Sequence, residues 1–212
     1  MKRRRYLAAA GAAGLAGLAG CKGDVAPGAG RHLLGPDTDR RQVALASVNA
    51  TPDDSPVDID VAVAEPLATA DQPVRIAVTT TNQGPERAIS VAEGGCCLFN
   101  REKGGSDDPG GLRLYLAEST DHEDRRGDRW VPDASGGRGD ALYGCNPRRY
   151  AGGSLTNEYE LWDDYAVRGY FRPGAYRWSE AVQVYDDPRA GFGGDPDVEF
   201  VWGFSLDVTV PE

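Results

Sequence analysis

Helical spacing is what this 212-residue chain lacks first: no stretch sustains apolar residues three and four positions apart. Helical bundles and alternating βαβ folds are set aside on that ground. Histidine is nearly absent, with His32 and His122 the two in the whole sequence. His32 falls in the N-terminal stretch that reads as a tether, which leaves one imidazole for the folded domain, too few for a catalytic zinc centre or a His₂Cys copper centre. No Gly-x-Ser-x-Gly occurs, and His122 is the single imidazole beyond the N-terminal region, which argues against Ser-His-Asp hydrolysis. We read His122 as a solvated loop histidine among Asp121, Glu123 and Asp124. Lysine is scarce too: Lys2, Lys22 and Lys103 are the three, and arginine carries the remaining positive charge. No cofactor and no metal are expected.

What is abundant is negative charge, with 33 acidic residues against 23 basic and a net charge of −10. Four of the basic residues are Lys2, Arg3, Arg4 and Arg5, so the rest of the chain is more acidic still. Such a balance excludes nucleic acid as a natural partner, because phosphates reward lysine and arginine. Acid-rich, lysine-poor composition is similar to that of proteins from salt-loving archaea. At molar salt the Debye length falls to ~3 Å, which screens the self-repulsion of such a surface.

The first twenty residues read as an address. Lys2 to Arg5 form a charged segment, and Tyr6 to Ala19 a short apolar one. Those fourteen residues would rise about 21 Å as a helix, short of a ~30 Å hydrocarbon core. Arg3-Arg4-Arg5-Tyr6-Leu7 resembles the core of twin-arginine export signals, although Lys2 stands where Ser or Thr is usual and the Sec route stays open. Leu18-Ala19-Gly20-Cys21 resembles a lipobox, which implies a lipid on Cys21 and cleavage just before it. The protein is then expected on the extracytoplasmic face of the cell membrane. Lys22 to Pro56 is rich in Gly, Pro, Asp and Arg without sustained period, and reads as a flexible tether. Gln42–Val48 offers one short strand within it, and Asn49-Ala50-Thr51 is a glycosylation sequon.

From Val57 onward the period is two. Val57, Ile59, Val61 and Val63 share one parity; Val74, Ile76, Val78 and Thr80 share another. Ile89 and Val91, then Leu112, Leu114 and Leu116, continue the pattern. Leu155, Tyr159 and Leu161 belong to a further strand, and Tyr176, Trp178, Val182 and Val184 to the one after it. Phe200, Trp202, Phe204, Leu206, Val208 and Val210 give the longest alternation. The expectation is an all-β, immunoglobulin-like antiparallel sandwich of about seven strands over residues 57–212. Two long loops interrupt it, Glu118–Arg138 with Trp130 as a pin, and Asp186–Asp197.

Arg172-Pro173-Gly174-Ala175-Tyr176 resembles the corner of immunoglobulin-like sandwiches, where a tyrosine hydroxyl ties the turn to nearby backbone. Val74 to Gly84, ending Thr-Thr-Thr-Asn-Gln-Gly, resembles the second strand of cell-adhesion-related modules on archaeal and bacterial surfaces. With the lipobox, the tether, Glu158-Tyr159-Glu160-Leu161-Trp162-Asp163-Asp164 and Arg172 to Trp178, the layout is similar to an uncharacterised family of halophilic-archaeal lipoproteins. None of these motifs carries known chemistry.

With Cys21 assigned to lipid, Cys96, Cys97 and Cys145 remain, and thiols outside the cytoplasm oxidise. Adjacent cysteines on a strand face opposite ways, so one of the first two can meet Cys145. Counting by twos from Ile89 and Val91 favours Cys97–Cys145; a bulge at Gly94-Gly95 would favour Cys96–Cys145, and a Cys96–Cys97 ring is the strained third option. Asp163-Asp164 and Asp186-Asp187 are candidate calcium or acid–base pairs. Trp162, Tyr165, Tyr170 and Phe171 are either core or a partly exposed binding platform for a protein or glycan, core being favoured. The resulting expectation is a lipid-anchored, non-enzymatic surface interaction module, bound to the membrane through Cys21 and facing a protein or glycan partner. The alternative is an extracytoplasmic thiol, redox or metal-binding protein using Cys96, Cys97 and Cys145.

Overall fold

Alternating side chains with branched and aromatic residues on one parity can bury half their surface only by facing a second sheet. The computed structural model, which describes residues 39–91, 104–133, 147–190 and 194–212, shows that solution. In chain order the strands are β1 (Arg41–Val48), β2 (Val57–Glu65), β3 (Leu67–Ala68), β4 (Val74–Asn82) and β5 (Arg87–Val91). They continue with β6 (Gly104–Gly105), β7 (Leu112–Leu116), β8 (Arg148–Tyr150), β9 (Gly153–Asp163), β10 (Gly174–Tyr185) and β11 (Val198–Thr209). One sheet has the order β3-β1-β11-β10-β5-β8 and the other β2-β4-β9-β7-β6, with every pairing antiparallel. This is an immunoglobulin-like antiparallel sandwich.

The buried faces follow the sequence parity. Tyr176 lies opposite Leu206 and Trp178 opposite Phe204 in the first sheet, and all four are buried. Ile76 lies opposite Tyr159 and Val74 opposite Leu161 in the second, again all buried. The Trp178 and Phe204 rings stack at 5.3 Å between centroids. Beside them β10 and β11 pack so closely at Gly203 that a Cβ there would collide with the Trp178 carbonyl.

Three expectations change. The sandwich starts before residue 57, because β1 joins it by pairing with β11 from Gln42–Thr209 to Val48–Phe204. The strand noted within Gln42–Val48 is thus integral to the sandwich, and the stretch read as a tether does not extend to Pro56. In β1 only Val43 is buried, and a register shift falls between Leu45 and Ser47, so its sequence shows no clean alternation. The strand count also exceeds seven, since β3, β6 and β8 have two or three residues each, too few to display a period. Asn49, expected on an exposed tether, is half-buried at the end of β1 and accepts a hydrogen bond from Arg177 at 3.3 Å.

β9 and β10 belong to different sheets, so the bend between them carries the chain from one layer to the other. The expected tyrosine corner is there: the Tyr176 hydroxyl donates to the Arg172 carbonyl at 2.8 Å. Tyr176→Phe removes that bond while keeping the ring, and is expected to cost about 1 kcal/mol in denaturant unfolding. Trp202→Ala, which empties a fully buried position, is expected to cost roughly 3–5 kcal/mol in the same measurement.

Candidate functional site: an arginine-lined groove

The groove is built by a loop that folds back onto the outer face of the second sheet. Strand register places Arg75, Tyr115 and Glu160 side by side on that face, with Arg113 and Trp162 the next cross-strand pair. Tyr115, Glu160 and Trp162 are nevertheless buried, because residues 117–133 cover them. Trp130 is the pin. Its ring meets Trp162 edge-on at 5.5 Å, its indole N–H donates to Thr69 O at 2.7 Å, and its carbonyl accepts the Asp163 N–H at 2.8 Å. The Arg125 guanidinium lies 4.5 Å from the centroid of the same ring.

His122 is exposed on the loop, as expected of a solvated residue, but one of its ring nitrogens has a partner that the sequence did not indicate. Its Nε2 lies 2.9 Å from both oxygens of Glu160, a carboxylate 1% exposed. Trp162 Nε1 donates to the same group at 3.2 Å, and Arg75 stands 3.5 Å away. A carboxylate this buried requires such partners. Sequence spacing gave no warning, since His122 and Glu160 are 38 positions apart.

Beside the loop, residues 163–172 form the bend that leads into the tyrosine corner. Phe171 is held at φ +39°, an uncommon conformation for a residue with a side chain. Its N–H donates to Asp163 Oδ1 at 3.1 Å, its carbonyl accepts Arg41 Nε at 2.8 Å, and its ring is fully buried. Loop, bend and the start of β1 enclose a groove of about 660 Å³ whose ionic lining is Arg41, Arg126, Arg129 and Arg168 with Asp39 and Asp163. That volume falls in the usual range for small-ligand sites.

The four arginines play two roles. Arg129 forks onto Asp39 at 2.9 and 3.0 Å, and this hydrogen-bonded carboxylate raises its pKa further. Arg41 is spent on the carbonyls of Phe171 and Tyr170. Both guanidinium groups lie over the Tyr170 ring, at 5.2 and 5.8 Å. Arg126 and Arg168 are exposed, and among the described residues their side chains have no hydrogen-bond or ion-pair partner. On a chain of net charge −10, two uncommitted guanidinium groups at one groove form a local positive field aimed at an anion.

The residues singled out in the sequence distribute unevenly. Cys21, Cys96, Cys97 and Cys145 lie outside the described residues. Of the four aromatics, Trp162, Tyr170 and Phe171 are buried, so as a set they form core and no exposed platform; Tyr165 alone is exposed, at 49%, and it lines the groove. Asp163 and Asp164 are split by the strand alternation: Asp163 turns inward to Phe171, while Asp164 pairs with Arg113 at 3.0 Å and accepts the Ala166 N–H. Asp186 pairs with Arg87, and Asp187 accepts the Arg189 N–H. No group of three potential ligands is positioned for a metal among the described residues. The groove arginines themselves were missed, because residues 41, 126, 129 and 168 share no motif.

Burial pushes the Asp163 carboxyl up to about 7, against the lowering effects of the Phe171 N–H and of Arg172. The folded protein therefore holds a proton there at pH values where the unfolded chain has released it. That contribution is complete below about pH 4 and lost as pH rises through about 7. Asp163→Asn keeps an acceptor for Phe171 and removes the titration. Relative to the natural chain, its unfolding free energy is expected to be unchanged at pH 4 and higher by on the order of 2–4 kcal/mol at pH 8. Thermal or urea unfolding across that interval measures the difference. Comparison of the chain with protein-family models, with curated proteins and with solved structures found no match, so its functional reading stands on this geometry.

Proposed function

We propose that this protein is a lipid-anchored recognition module of the cell surface, exported by an arginine-pair signal and held at the membrane through Cys21. Its task is to capture an anionic group, presented by a protein or a glycan, in the groove between the 117–133 loop and the 163–172 bend. The observation that carries this reading is the pair of guanidinium groups, Arg126 and Arg168, that have no partner among the described residues, at a groove on an otherwise acidic chain. Recognition is favoured over turnover because guanidinium stays charged at all ordinary pH values; it binds anions and shuttles no protons.

The Leu18-Ala19-Gly20-Cys21 motif supports the anchor, and the composition supports work in high salt, where short-range forked hydrogen bonds survive better than long-range attraction. Cys21→Ser is expected to leave uncleaved precursor or to release the protein from membranes, read by fractionation and by the mass of the amino terminus. Arg126→Glu with Arg168→Glu is expected to abolish partner co-purification from native membranes. Both positions are exposed, so unfolding should stay within about 0.5 kcal/mol per substitution. Undiminished partner recovery by the double variant would refute the groove as the contact.

A further inference from the structure

We infer that the groove takes a sugar acid, a pyranose ring bearing a carboxylate, and this rests on the reading of the groove as an anion-capture site. Three kinds of chemistry meet there. Arg126 and Arg168 offer planar forks that match a carboxylate in two parallel hydrogen bonds. Asp163 offers a carboxyl: the residue is 4% exposed, one oxygen accepts the Phe171 N–H, and the other has no hydrogen-bond partner among the described residues, so it can donate when protonated and accept when ionised. Tyr165 offers an exposed ring at the same groove, a flat face for the C–H side of a pyranose.

Each component excludes a competitor. Once ionised, Asp163 opposes a compact dianion such as phosphate by charge, and in either protonation state its carboxyl suits a ligand whose hydroxyls both donate and accept. Forked guanidinium groups gain no charge-assisted pairing from a neutral sugar. An exposed ring adds nothing for a short-chain acid such as acetate. A ligand with a carboxylate, several hydroxyls and an apolar ring face satisfies all three, and a groove of about 660 Å³ has room for one or a few such rings.

The test is titration calorimetry of the soluble mature chain at one fixed salt concentration, with galacturonate, galactose, acetate and inorganic phosphate as probes. Galacturonate is expected to bind roughly tenfold or more tightly than the other three. Arg126→Ala or Arg168→Ala is expected to weaken it by about tenfold each, as loss of a charge-assisted hydrogen bond requires. Arg168→Lys, which keeps charge but not the fork, should recover only part of that loss, and Tyr165→Ala should weaken galacturonate while leaving acetate unaffected. Equal binding of galactose or acetate overturns the sugar-acid assignment. Phosphate binding as tightly as galacturonate, with the same arginine dependence, overturns it too but leaves anion capture standing. Failure of every anion to bind overturns both.

Discussion

The attachment of one indole to one sheet face governs the parts of this molecule that differ from a plain sandwich. Trp130 hydrogen-bonds Thr69 through its ring and Asp163 through its carbonyl, and packs on Trp162. It thereby lays residues 117–133 over a face that alternation alone would leave to solvent. Two results follow from that coverage. Glu160 becomes a buried carboxylate and recruits His122, and Arg126 and Arg129 are brought against the 163–172 bend. The tyrosine corner stabilises the other wall, since the bend ends at the carbonyl that Tyr176 ties down. The groove is thus the seam between two locally braced segments.

How much of this could be read in the residues depends on how many neighbours in sequence cooperate to produce a feature. The long strands were legible because each repeats one rule over many positions: β4 alternates buried and half-buried residues without a break, and Tyr176, Trp178, Val182 and Val184 keep one parity through β10. The corner was legible because Pro173, Gly174 and Tyr176 lie within four residues. β1 was obscure because its outer positions are apolar too, Leu45 and Val48 being exposed, which hides the alternation. Glu160 and Trp162 look like the polar-side parity of a strand and are buried only because a distant loop lands on them. The four arginines of the groove converge from three separate segments, and no local spacing announces convergence of that kind.

Charge is distributed with the same economy. The outer surface is acidic, yet the arginines at the groove are sorted into two that brace walls and two that stay open. Tyr170, lying under Arg41 and Arg129, is buried and its hydroxyl is pushed up to about 12, so it stays neutral while its oxygen accepts the Trp130 N–H at 3.2 Å.

The strand that begins the sandwich has a mechanical consequence. The chain enters the fold at Asp39 and Arg41, and these residues are at once part of the groove wall, clamped by Arg129 and by the Phe171 carbonyl. A pull arriving from the N-terminal side and opposed by something held in the groove would pass through those few contacts. It would bypass the long β10–β11 ladder and the stacked aromatics behind it. Past that clasp the next contacts to be loaded are the pairings of β1 with β3 and β11, which begin at Arg41 and Gln42.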